Sequence, residues 1–181
     1  MPRAAPPRIT ASYLENAALH YLERFASSTA NLRRVLMRKI DRSLAHWGGE
    51  RAEAAALADA LMVKLAGLGY LDDSAYAQAK TASLHRRGKG GRAIRAALAA
   101  KGVEADVAAD AVAGVGDLAA AINLARRRRL GPFRPPEARA AMRPRDLATL
   151  ARAGFAYDVA RQVVEAADAD ALEELSTRTV V

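Results

Sequence analysis

The chain has 181 residues, 51% hydrophobic but only 5% aromatic, and no cysteine, which leaves room for a buried core and excludes a disulfide scaffold, a thiolate metal site and a cysteine nucleophile. Its formal net charge is +8 and is uneven: residues 1–150 carry 25 basic and 14 acidic side chains, residues 151–181 three and six, so an anionic partner and a merely solvated surface both fit. No apolar run approaches the ~20 residues of a membrane span.

The first eleven residues, rich in proline and without the apolar core of a signal peptide, read as a disordered lead, and a cytoplasmic protein is expected. A first helix is predicted over Ser12–Phe25, capped by Ser12, with Leu14, Ala18, Tyr21, Leu22 and Phe25 on one stripe. Ser28 can cap the second, where Leu32, Val35, Leu36 and Ile40 face inward and Arg33, Arg34, Arg38 and Arg42 cover the other side. Trp47-Gly48-Gly49 is a loop. A third helix follows, with Leu57, Ala58, Leu61 and Leu65 on its stripe, ending near Gly67-Leu68-Gly69.

Asp72-Asp73-Ser74 opens the next helix, lined by Ala75, Tyr76, Ala79 and Leu84. After Arg86-Arg87-Gly88-Lys89-Gly90-Gly91 comes a helix lined by Ile94, Ala97 and Leu98, which stops at Gly102; Val107, Ala111 and Val112 line another. Asp117 is placed as the cap of a helix with Leu118, Ala121, Ile122 and Ala125 inward, running into Arg126-Arg127-Arg128-Arg129. Gly131-Pro132-Phe133-Arg134-Pro135-Pro136 is a break, and Pro144 can begin the following helix as its first residue, with Leu147 and Leu150 in the core. After Gly154-Phe155, Val159, Val163 and Val164 line the last helix.

Gly102-Val103, Val107 and Val112 align without a gap on Gly154-Phe155, Val159 and Val164, and Leu98 falls on Leu150. An internal match of this kind, with no strand alternation, predicts an all-α fold of three tandem three-helix repeats forming an elongated, curved array. The expected units are repeat 1 over 12–69, repeat 2 over 70–115, repeat 3 over 116–168 with a Pro-rich insertion at 131–144, and an acidic, frayed tail over 169–181, into which runs an acidic stretch of Glu165, Asp168, Asp170, Glu173 and Glu174.

Catalysis finds no support. His20, His46 and His85 lack metal-ligand spacing. Asp72 and Asp73, about 100° apart on a helix, suit a cap and a favourable charge at the helix N-terminus better than a paired acid and base. Gly88-Lys89-Gly90-Gly91 has the wrong order for a nucleotide-binding loop, although the helix N-terminus behind it could hold a phosphate. No base is placed to activate a hydroxyl. No enzyme, metal or cofactor is expected. What remains is charge: from Leu84 through Lys101 the basic residues are Arg86, Arg87, Lys89, Arg92, Arg95 and Lys101, with no acid among them. Arg92 and Arg95 share a face away from Ile94 and Leu98. This is the preferred binding patch; Arg33, Arg34 and Arg38 and the run Arg126, Arg127, Arg128 and Arg129 are secondary candidates.

Gly69-Tyr70-Leu71-Asp72-Asp73, then Tyr76-Ala77, Arg87-Gly88-Lys89-Gly90, Ile94-Arg95, Leu98 and Lys101-Gly102-Val103 resemble the RecX family of bacterial regulatory proteins. Tyr21-Leu22, Arg24-Phe25, Ser28, Leu32 and Leu36-Met37-Arg38-Lys39 look like that family's first repeat, and Gly154-Phe155-Ala156-Tyr157-Asp158-Val159 like its last. The departures are Ala153, where a base is expected before the Gly-Phe pair, and the insertion from Leu130 to Pro144. The resemblance implies a monomeric tandem-repeat protein that lies in the groove of the RecA filament on single-stranded DNA and modulates RecA, most often by inhibiting recombination, ATP turnover and co-protease activity. It also implies direct contact with single-stranded DNA, with double-stranded DNA left open. The competing classes are a helix-turn-helix regulator of transcription and a helical-repeat scaffold without nucleic acid. The first would need base-reading side chains where Ile94 to Lys101 offers Arg95 and otherwise mostly alanine. The second predicts no salt-sensitive DNA binding.

Overall fold

The computed structural model describes residues 5–178, and the side chains of all of these except 173 and 175–178. Among the described residues there are ten α-helices, one short 3-10 turn and no strand. They divide into two compact units, one formed by residues up to Ala77 together with Ala99–Val107, the other by Gln78–Leu98 together with residues from Ala108 onward.

In the first unit α1 (Ala11–Leu22), α2 (Thr29–Trp47) and α3 (Arg51–Gly67) pack around one core. Leu14 and Ala18 meet Leu32, Leu36 and Ile40, and these meet Ala54, Ala58, Leu61 and Leu65. The cap of α1 is Thr10, not Ser12: the Tyr13 amide donates to Thr10 Oγ1 at 3.1 Å. The helix stops three residues short of Phe25, which is 52% exposed and leans on Tyr21. Ser28 caps α2 as expected, accepting from the Asn31 amide. In α3 the stripe is Ala54, Ala58, Leu61, Met62 and Leu65; Leu57, expected inside, is exposed, because one step along a helix turns it about 100° away. The lead is not disordered from Ala5 on. Trp47 Nε1 donates to the Pro6 carbonyl at 2.7 Å, Ser43 Oγ to the Pro7 carbonyl at 2.8 Å, and Arg8 lies over the Trp47 ring. Residues 1–4 of that expected segment lie outside the described residues.

Helices α4 (Asp73–Arg86), α5 (Gly91–Ala99) and α6 (Ala105–Ala113) each contribute to both units. Ile94 and Leu98 are fully buried, as the stripe predicts. In α4 the inward residues are Ala77 and Thr81 rather than Ala75 and Ala79, which are exposed.

The second unit's core gathers α7 (Asp117–Arg128), α8 (Pro136–Ala153), α9 (Tyr157–Val164) and α10 (Ala169–Arg178) around Phe155. Pro144 does not begin α8. Pro136 stands at the first turn, where a missing amide costs nothing, and Pro144 lies inside the helix with its ring exposed. The extra turns are held by Arg139, whose guanidinium donates to the carbonyls of Pro132, Arg134 and Ala167. Much of the segment expected as an insertion is therefore helix. The tail is helical too: Asp168 accepts from the Ala171 amide, and Leu172 is fully buried. Residues 179–181 of that expected tail lie outside the described residues.

The internal match has a structural counterpart in each unit. In the first, Thr29 at the start of α2 donates its amide to Asp73 Oδ1 at 2.7 Å, and Ser28 Oγ donates to the Lys101 carbonyl. In the second, Gly91 at the start of α5 donates to Asp117 Oδ1 at 2.9 Å, and the Gly90 amide to the Ala153 carbonyl. Each helix start thus docks on an aspartate that opens a later helix and on the residue before a glycine turn. Those glycines have positive φ, 75° at Gly102 and 97° at Gly154. A Cβ added to either would come within 2.5 Å of Ala30 Cβ or 2.4 Å of Ala93 Cβ. Asp117 is therefore the first helical residue, after a cap at Gly116, and its carboxylate serves a neighbouring helix.

Candidate functional site

The Gly69–Val103 stretch resolves into structural and exposed parts. Leu71 is buried, Asp72 caps α4 through the Ala75 amide, and Asp73 holds the start of α2. Tyr76 is half-buried, and burial, with Tyr21 and Asp73 adding to it, raises its phenol above the ordinary value. Gly69, Gly88, Gly102 and Gly154 all take positive φ at helix ends. Gly90 passes against the Gly154 backbone and Phe155. Tyr70, by contrast, is 58% exposed.

The start of α5 does not offer an anion site. The Gly91 amide goes to the Asp117 carboxylate, and the Gly90 and Arg92 amides to the carbonyls of Ala153 and Gly154. The expectation of a phosphate there fails because the protein's own acceptors already occupy the free amides.

The side chains around that turn are different. Arg86, Arg87, Lys89, Arg92 and Arg95 are exposed and lie in the second unit. Arg92 Nη2 reaches the Phe155 carbonyl at 3.5 Å; the other four form no hydrogen bond or ion pair among the described residues. Lys101 does not belong with them. It lies in the first unit, half-buried, with Nζ 3.2 Å from Asn31 Oδ1 and its carbonyl on Ser28.

The fold also joins what the sequence separates. The turn at Gly88 packs against α7: a Cβ there would lie 2.6 Å from Arg127 Nη2 and 3.3 Å from Leu124. The run at the end of α7 therefore stands beside the α4–α5 turn, 40 residues earlier in the chain. Arg126 lies over the Phe133 ring, Arg127 and Arg128 are exposed, and Arg129 is the left-handed cap of α7 with φ 52°. In the first unit Arg33 is paired with Asp59 and Arg34 donates to the Ala100 carbonyl, which leaves Arg38 as the exposed cation of that trio without a partner among the described residues. The signal for the Asp73 and Asp117 contacts was present in the sequence, since both aspartates open the first helix of a predicted repeat, but nothing in the pattern says that they reach another helix.

Among the described residues no group of three His, Cys, Asp or Glu side chains could hold a metal, and no single helix is long and apolar enough to cross a membrane. The arrangement can bind through charge and shape.

These features define an all-helical protein of three-helix units that carries a concentrated basic surface. Residues 72–112 match the family model described as RecX, second three-helix domain. The chain is 48% identical over 165 residues to the regulatory protein RecX of Myxococcus xanthus, covering 88% of either chain. It is 31% identical over 165 residues to that of Agrobacterium fabrum, covering 91% of this chain and 89% of the other. Its fold resembles a crystal structure of regulatory protein RecX with a TM-score of 0.65 at 21% identity, over 86% of this chain and 72% of that one. It resembles the crystal structure of RecX from Lactobacillus salivarius with a TM-score of 0.60 at 20% identity, over 86% and 94%. The chain belongs to the RecX family of regulatory proteins.

Proposed function

We propose that this chain binds the filament that RecA forms on single-stranded DNA and inhibits RecA's recombinase, ATPase and co-protease activities. It acts in the cytoplasm, as a monomer and without chemistry of its own. Family membership supports the choice of partner; the observation that carries the reading is the surface of Arg86, Arg87, Lys89, Arg92 and Arg95, exposed and in no ion pair among the described residues. Exposed cations that are not used within the fold are available to an anionic assembly, and a concentrated patch attracts one over several ångströms. The helix-turn-helix alternative loses ground because the exposed face of α5 presents Arg92 and Arg95 and otherwise alanine, with no Asn or Gln beside them to read a sequence of bases. The test is RecA-catalysed ATP turnover on single-stranded DNA with rising amounts of the protein. Turnover should fall as the protein approaches stoichiometry with RecA; a rate unchanged at excess protein would contradict the proposal.

A further inference from the structure

In the first unit a groove runs past the end of α2 and the start of α3, lined by Ser43, Leu44, Trp47, Glu50, Glu53 and Leu57. The proline-rich lead lies along it, and about 280 Å³ beside the lead stays open. We propose that this groove is a docking site for an extended Pro-Pro-Arg segment of a partner protein. Pro6-Pro7-Arg8 is the occupant the chain carries for itself, and such a segment displaces it. No residue of this groove belongs to the basic surface assigned to RecA.

The groove reads backbone carbonyls. Trp47 Nε1 donates to the Pro6 carbonyl at 2.7 Å, and Ser43 Oγ donates to the Pro7 carbonyl at 2.8 Å. Ser43 is only 2% exposed, and its hydroxyl takes this acceptor from the segment that covers it. Proline has no amide of its own to satisfy, and its ring fixes φ near −65°. Two prolines in succession are thus pre-set in the extended polyproline II form, which loses little freedom when it docks on an aromatic groove.

The groove also selects a cation. The Arg8 guanidinium carbon lies 4.6 Å from the centroid of the Trp47 ring. Glu50 and Glu53 line the same groove, and their carboxylates make no hydrogen bond or ion pair among the described residues. Glu50 stands at the N-cap of α3, yet its side chain does not cap the helix. On a chain of net charge +8, an aromatic face beside two unpaired acids favours a basic side chain over any other.

The lead is held lightly enough to be exchanged. Its printed contacts with α2 are two hydrogen bonds and one cation–π contact, and Pro7 and Arg8 are themselves exposed. Terminal segments with few buried contacts are the first to open. Trp47 is 42% exposed even with the lead in place.

Trp47 is the chain's only tryptophan, so its fluorescence reports on this groove alone. The full chain is titrated with the synthetic peptide Ala-Ala-Pro-Pro-Arg-Ile-Thr, the sequence of the lead itself. Wild type is compared with Pro7→Gly/Arg8→Glu, which loosens the lead and sets its charge against Glu50 and Glu53; melting temperatures confirm that both fold. The variant should bind the peptide with a Kd in the millimolar range or tighter, because a short tether supplies the lead at about millimolar effective concentration. The wild type should bind it about tenfold more weakly, since its groove is free for only a fraction of the time. A peptide with glutamate in place of its arginine, or with two glycines in place of its prolines, should bind the variant about tenfold more weakly than the parent peptide. The proposal is overturned if neither protein binds the peptide, which would leave the lead a fixed strap that only adds stability. It is equally overturned if the glutamate or diglycine peptide binds as tightly as the parent. A wild-type dimer in sedimentation that the lead variant does not form would give the groove to a second copy and overturn it as well.

Discussion

Asp146 is 1% exposed and accepts three hydrogen bonds, each 2.8 Å long, from the Gly131 amide and from Nε and Nη2 of Arg134. Burial pushes its carboxyl up, but the Arg134 guanidinium and the Gly131 amide outweigh burial and hold it below the ordinary aspartate value. A depressed carboxyl stabilises the fold above the unfolded value of about 3.9, and that contribution is lost as the pH falls through the folded value. Asp146→Asn should therefore cost about 2–4 kcal/mol in denaturant melts at neutral pH, since it leaves a partly buried guanidinium without its anion. The variant should also lose less further stability than the wild type below about pH 4. Equal stability of the two proteins at pH 7 would show that the pair is dispensable. None of this was legible in Arg-Pro-Arg-Asp-Leu, which reads as the start of a helix. The partner stands 12 residues upstream across a break that local patterns do not span.

At the scale of the helix, what the apolar period shows and what it misses can be separated. The period placed α2, α5 and α9 and their inward faces, because each has large side chains on one side only: Leu32, Leu36 and Ile40; Ile94 and Leu98; Val163 and Val164. It misplaced Leu57 in α3 and Ala75 and Ala79 in α4, where alanine is spread around the helix and carries little directional signal. Two leucines measure the difference. Leu98→Ala should destabilise by about 2–5 kcal/mol, as buried leucine truncations do. Leu57→Ala, at a site 41% exposed, should stay within about 0.5 kcal/mol. Similar losses in urea melts would mean that α3 turns its other face inward. The glycine turns were legible as turns, but their close approach to a neighbouring helix was not. Gly154→Ala forces a side chain into a left-handed backbone and against Ala93, and should cost about 2–4 kcal/mol. A melting temperature equal to that of the wild type would contradict the docking of α5 on that turn.

For the molecule as a whole, composition announced an all-helical basic protein, and the quoted motifs its family. Which cations are available could not be read from the sequence, because pairing is decided by the fold. Arg33 and Arg34 are engaged within the first unit and Lys101 is half-buried there, while Arg86, Arg87 and Lys89 stand exposed in the second, beside the end of α7. Arg87 and Lys89 are therefore the cleanest pair to reverse, since Arg92 touches the Phe155 carbonyl and its loss would mix binding with stability. The decisive measurement is RecA ATP turnover on single-stranded DNA over a salt series, comparing the wild type with Arg87→Glu/Lys89→Glu, whose helical content and melting temperature should be nearly unchanged. The wild type should inhibit and the variant should inhibit several-fold less, with the gap widest at low salt, where Coulomb attraction is least screened. Equal inhibition by the two proteins at every salt concentration would mean that this basic surface is solvated charge and not the contact with the filament.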